Sequence, residues 1–206
     1  MQTPINLSTL MTIRLKGRMT ANAVAQTTGE TIEEATSSLE RGVEAGALLG
    51  ANGRYKITPD GRELLARLVD EERASVDAAR LESLYETFDV HNSALKQIVT
   101  DWQLRPDGSP NAHDDSAYDA VVVDRLLALD RAIQPWLDDL RVVAPRLARY
   151  AVRLSSAAEA VGAGDLTYVA RPVTDSYHTV WFEMHEELMA LTGRDRVAEA
   201  TAGRAD

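Results

Sequence analysis

TANAVAQTTGETIEEATSSLERGVEAGALLGANGRYKITPDGRE, residues 20–63, decides the fold of the first third of this chain. Thr20 is a capping residue for a short helix from Ala21 to Thr27, and Gly29 supplies the positive φ that a sharp helix–helix turn requires. Thr31-Ile32-Glu33-Glu34 has the form of a capping box, so a third helix starts at Ile32. Its apolar positions, Ile32, Ala35, Leu39 and Val43, recur at helical spacing, and Gly46 ends it. Asn52-Gly53 is a two-residue turn joining Leu48-Leu49 to Tyr55-Lys56-Ile57 in a β-hairpin. Thr58-Pro59 then supplies a cap and a first-turn proline for the next helix. Upstream, a helix from about Ser8 to Met19 carries Leu10, Ile13 and Leu15 beside a basic cluster of Arg14, Lys16 and Arg18. Two helices joined by a turn, a hairpin wing and a helical restart together make the plan of a winged helix-turn-helix.

Working outward, the hairpin that ends in Thr-Pro-Asp-Gly-Arg and leads into a long helix resembles the winged-helix module of MarR-like bacterial regulators. The likeness spans about residues 8–67. It implies double-stranded DNA as the partner, read by the third helix in the major groove with the wing against the backbone. The core positions of that helix turn Thr31, Glu33, Glu34, Ser37, Ser38 and Arg41 outward. The expected DNA-binding set is therefore Thr31, Ser37, Ser38 and Arg41 on the helix, with Arg54 and Lys56 on the wing. Glu33 and Glu34 oppose phosphates, although a glutamate can accept from a cytosine amino group. The same carboxylates keep open a rival in which the winged helix serves protein contact in an accessory or adaptor protein.

Residues 1–75 are expected to form this domain and residues 76–206 a helical effector-binding or dimerisation domain. The second part has a seam at Leu84, Phe88, His91, Leu95, Ile98 and Trp102, then a loop from Arg105 to Asp115 rich in turn formers. Further helices are expected at about 117–140, kinked or restarted at Pro135, at 145–161 and at 175–191. The fold class is mainly α, a winged helix-turn-helix with a small β-hairpin wing followed by an antiparallel helical bundle. Asp175-Ser-Tyr-His-Thr-Val-Trp-Phe-Glu-Met-His-Glu-Glu-Leu188, with Thr100-Asp-Trp-Gln-Leu-Arg105, is similar to a helical domain found behind winged helices in predicted bacterial regulators. That similarity spans most of residues 81–192. The tail from Arg194 to Asp206 lacks an apolar stripe and is expected to fray.

All four histidines lie in the second part. Tyr177, Trp181, Met184 and Leu188 form one helical row; His178, Phe182, His185 and Met189 lie beside it. Two imidazoles about two turns, ~10 Å, apart cannot chelate one ion by themselves, and no metal site is expected. Convergence of His91, Trp102, His178, Trp181 and His185 would make a largely apolar effector pocket with a few directed polar groups. The alternative is a polar network that fixes helix register. Arg141, Arg146, Arg149, Arg153 and Arg171 are candidates to neutralise an anionic ligand.

No nucleophile elbow, phosphate-binding glycine loop or dinucleotide fingerprint occurs, so neither catalysis nor a cofactor is expected. A helical-bundle enzyme using the histidines ranks third, behind a regulator and an adaptor. The chain has no cysteine, which excludes disulfides and thiolate sites. Its net charge of −10 opposes general phosphate affinity, yet residues 1–73 carry nine Lys and Arg against ten Asp and Glu. Without a signal peptide or an apolar run long enough to span a bilayer, the expectation is a cytoplasmic protein, homodimeric and free of the membrane.

Overall fold

The computed structural model describes residues 5–194; most of the tail expected to fray lies outside them. The chain divides into two compact units, residues 1–75 and 76–206.

The first unit is a winged helix-turn-helix. Helices α1 (Leu7–Lys16), α2 (Ala21–Thr28) and α3 (Ile32–Glu44) precede strands β1 (Leu48–Ala51) and β2 (Arg54–Ile57) and helix α4 (Pro59–Ser75). Each of the first three helices begins at a side-chain cap: Asn6, Thr20 and Thr31 accept from the amides of Ser8, Ala23 and Glu34. The capping box is complete, with the Thr31 amide donating to Glu34 Oε2 at 2.9 Å. Gly29 has φ +79° at the turn between α2 and α3. Asn52 and Gly53, at φ +51° and +68°, make the hairpin turn, and Leu48 pairs with Ile57 in an antiparallel ladder.

Thr58 does more than cap α4. Its hydroxyl accepts from the Gly61 amide (2.9 Å) and lies 2.7 Å from the Gly46 carbonyl, to which it donates. This brings α4 so close to β1 that a Cβ on Gly61 would lie 2.1 Å from the Ala47 carbonyl oxygen. The glycine of the Thr-Pro-Asp-Gly-Arg restart is therefore a packing requirement.

Two expectations for this unit are corrected. The first helix stops at Lys16, where Gly17 (φ +83°) breaks it, and Met19 instead forms a two-way backbone bridge with Tyr55. This isolated bridge adds one residue pair beside the hairpin, and the sheet remains two-stranded. The buried stripe of α3 is Ala35, Ser38, Leu39 and Gly42, whereas Ile32 and Val43 are exposed. The stripe is rotated because the neighbours approach the small residues: a Cβ on Gly42 would lie 2.5 Å from Ile5 Cδ1 and 2.6 Å from Leu48 Cδ1.

The second unit is an antiparallel helical bundle of α5 (Ala78–Gln103), α6 (Ser116–Val143), α7 (Arg149–Gly162), the short α8 (Thr167–Ala170) and α9 (Tyr177–Thr192), with a 3-10 turn at Pro145–Ala148. Helix α5 packs on α6 and α9, α6 on α7, and α7 on α9, which closes the bundle. Asp77 caps α5 through the Arg80 amide (3.0 Å), so the helical pattern running from Pro59 is interrupted after Ser75. Pro135 is exposed and α6 continues through it.

At the centre, Phe88 packs against Trp136, Trp181 and His185, with ring centroids 5.1–5.2 Å apart. Both indole nitrogens carried into this core are matched: Trp136 Nε1 donates to the Leu84 carbonyl (3.0 Å), and Trp181 Nε1 to Asn92 Oδ1 (3.0 Å). Between α7 and α9 lies an ion network. The fully buried Glu187 accepts from Arg146, Arg149 and the Tyr150 hydroxyl, and Arg153 bridges Glu183 (2.8 Å) and Asp175 (3.0 Å). Burial, reinforced by the Glu187 charge, pushes the Tyr150 hydroxyl well above its ordinary range and keeps it a donor. Three of the five arginines expected to meet an anionic ligand are thus spent on carboxylates of α9, and a fourth, Arg141, faces Asp138 at 3.3 Å. Periodicity locates such residues on a helix face but does not say what the facing helix presents.

Candidate functional site

On the first unit, the expected nucleic-acid face is only partly available. Thr31 is exposed, but its hydroxyl is engaged with Glu34 as the α3 cap. Those bonds, the Thr31 amide first, hold the Glu34 carboxyl below its ordinary range and so keep it negative at the helix tip. Ser37 is exposed and accepts from Arg41 Nη1 at 2.6 Å. Ser38 must be removed from the outward set: it is 2% exposed, and its hydroxyl accepts from the Asn6 amide at 3.2 Å. A stripe through Ile32 and Val43 would leave Ser38 outside; the stripe observed, through Ala35, Leu39 and Gly42, takes it in. Arg54 and Lys56 are both exposed on β2. The outward surface of α3 and the wing therefore includes the exposed Ile32, Glu33, Glu34, Ser37 and Glu40, the half-buried Arg41, and Arg54 and Lys56, of mixed charge.

On the second unit, a cavity of about 240 Å³ opens between α5 and α9. His178, Trp181 and His185 line it, together with Phe182, Glu186 and Met189 from the same helix. The α5 side is Asn92, Leu95, Lys96, Val99, Thr100 and Gln103, one face at spacings of three and four. His185 is 7% exposed, and its Nε2 lies 3.2 Å from the Tyr85 hydroxyl. The cavity thus has aromatic and aliphatic walls with two imidazoles, an amide, an ammonium and a carboxylate set into them.

No protein family, curated protein or solved structure matches this chain.

The site must be read from its own geometry, which does not assemble all five residues named for it. His91 sits one position from Asn92, about 100° around α5, and does not line the cavity. It is half-buried, and desolvation lowers its pKa from the ordinary 6.5. Trp102 lines a different cavity, with His113. Reading the polar His91-Asn92 pair singled out the more reactive residue, whereas the bundle points the amide inward. Lys96 and Gln103 lie four and eleven residues from Asn92, and Glu186 four from Phe182, the helical spacings that bring them to the cavity. Among the described residues, no group of three or more His, Asp and Glu is arranged to hold a metal ion, and no helix is long and apolar enough to cross a membrane.

Proposed function

We propose that the chain is a DNA-binding transcriptional regulator, in which the first unit reads a duplex and the bundle pairs with a second copy and takes a small effector between α5 and α9. The observation that carries the reading is the complete winged-helix geometry with a capped, outward-facing α3 and two exposed wing cations, Arg54 and Lys56. Helix α3 has the length and exposure to enter a major groove, and the wing cations suit the adjacent backbone. The resemblance to MarR-like regulators points the same way. The α5–α9 cavity falls below the ~300 Å³ typical of the smallest drug-sized sites, so its occupant is a small molecule. The deciding experiment is fluorescence anisotropy of the purified protein on the fragment upstream of its own gene and on a scrambled duplex, at two salt concentrations. Selective, salt-sensitive binding is expected; absence of binding at low salt sinks the reading.

One observation favours a second reading. The first unit exposes Ile32, Val43 and Leu49 at 53%, 41% and 54%, and Val43 borders an open groove with Tyr55, Glu40 and Glu44. Apolar exposure with carboxylates at the rim suits a protein contact better than a phosphate backbone. In that case a stoichiometric protein partner co-purifies and no duplex is retained.

A further inference from the structure

The loop between α5 and α6 is organised around one buried carboxylate. Asp119, in the first turns of α6, has a side chain 8% exposed. Asn111 Nδ2 donates to its Oδ1 at 2.9 Å and to the Trp102 carbonyl at 3.1 Å, while the Asn111 amide donates to the Gln103 carbonyl at 2.8 Å. The second carboxylate oxygen, Oδ2, is 3.0 Å from His113 Nδ1. An ionised carboxylate only accepts, so Nδ1 carries a proton, and in the neutral ring Nε2 presents a lone pair. No hydrogen bond reaches Nε2 among the described residues.

His113 is one of several contacts that hold the loop, its amide donating to Asn111 Oδ1 at 3.2 Å. The chain path is also secured by Asn111, by the Leu104–Pro110 bridge and by Arg105 on Asp114 and Asp115. His113 sits at φ +57°, with its ring 41% exposed and its centroid 4.3 Å from that of Trp102. Left-handed backbone at a non-glycine residue costs free energy, and such positions concentrate where a side chain must be aimed. The ring borders an open groove of about 430 Å³, whose other walls include Trp102, Gln103, Leu166, Thr167 and Arg171. Arg171 carries the only full charge on this lining, and no carboxylate among the described residues pairs with it. Arg105, Arg146, Arg149 and Arg153, by contrast, are all paired.

We propose that this groove is a second ligand site, for a small hydroxycarboxylate with a flat apolar body. The carboxylate pairs with the Arg171 guanidinium, the hydroxyl donates to His113 Nε2, and the body lies against the Trp102 indole. A single guanidinium suits a carboxylate in two-point geometry, whereas a phosphate dianion calls for more donors than this lining supplies. The acceptor at Nε2 is what selects a hydroxyl over a second anionic group. The site shares only Gln103 with the α5–α9 cavity, and its assignment does not rest on DNA binding.

Calorimetric titration of the whole protein with mandelate, phenylacetate and mandelamide, in the absence of DNA, tests it. Mandelate is expected to bind about tenfold or more tightly than phenylacetate, which lacks the hydroxyl, and than mandelamide, which lacks the charge. Arg171→Gln should abolish the preference for acid over amide, and His113→Phe the preference for the hydroxyl. His178→Ala, in the other cavity, should change neither. Equal binding of the three probes, no saturation at their solubility limits, or indifference to Arg171→Gln overturns the proposal. Loss of mandelate binding in His178→Ala overturns it too, by placing the ligand between α5 and α9. Should His113→Phe fail to fold, the phenylacetate comparison and Arg171→Gln decide the matter.

Discussion

Two glycines show how similar residues carry different constraints. Gly29 has φ +79° but open space around a built Cβ, so Gly29→Ala costs only backbone strain, about 1 kcal/mol. Gly61 has no such φ, but its Cβ would meet the Ala47 carbonyl oxygen at 2.1 Å. Backbone atoms cannot swing aside as a side-chain tip can, so Gly61→Ala is expected to cost more, about 3 kcal/mol, by forcing α4 off β1. Chemical denaturation of the two variants checks the order. In the bundle the sensitive residue is Glu187, whose removal leaves Arg146 and Arg149, with side chains 14% and 8% exposed, without their shared carboxylate. Glu187→Ala is expected to destabilise by about 3–5 kcal/mol, read as a fall in the denaturation midpoint.

At the level of elements, α3 is the most self-sufficient piece because both halves of its capping box are made. Thr31→Ala should cost about 1 kcal/mol at neutral pH. The Glu34 half depends on pH with a defined sign. Its carboxyl titrates lower in the folded protein than its ordinary 4.5, so the folded state binds the proton less readily. The stabilisation is complete above about pH 4.5 and disappears as pH falls through the lowered value. Wild type and Glu34→Gln should therefore differ in melting temperature at pH 7 and converge in acid. His91 acts in the same direction at higher pH: burial lowers its pKa, so stability falls as pH drops below 6.5, and His91→Gln should flatten that segment of the profile. On the proposed regulator reading, Arg54→Ala and Lys56→Ala on the wing should each weaken DNA binding uniformly across sequences and reduce the salt slope by about one.

Across the whole molecule, the bundle has its own continuous core, running from Leu81 to Leu191 with no residue of the first unit in it. Gly61→Ala and Glu187→Ala are therefore expected to move different calorimetric transitions. A single transition that both variants shift equally would show one cooperative unit instead. The net charge of −10 works at this scale as well. Most of the acidic excess lies beyond residue 73, so duplex affinity should depend on the local cations of the wing more than on total charge.

The chain's own sequence determined what is decided over three or four residues. The caps at Thr20, Thr31 and Thr58, the Asn52-Gly53 turn and the Tyr177-Trp181-Met184-Leu188 row were all legible, because each is a hydrogen bond or a helical period between near neighbours. What distant segments supply was not legible. Ser38 turned inward because Asn6 offers it an amide, and Ile32 turned outward because Ile5 and Leu48 close on Gly42 instead. Arg146, Arg149 and Arg153 went to the carboxylates of α9. His178, Trp181 and His185 shared one cavity, while Trp102 joined His113 at another. Local hydrogen bonds fix where helices begin and end, but which side of a helix loses its water depends on what packs against it, and that only tertiary structure decided.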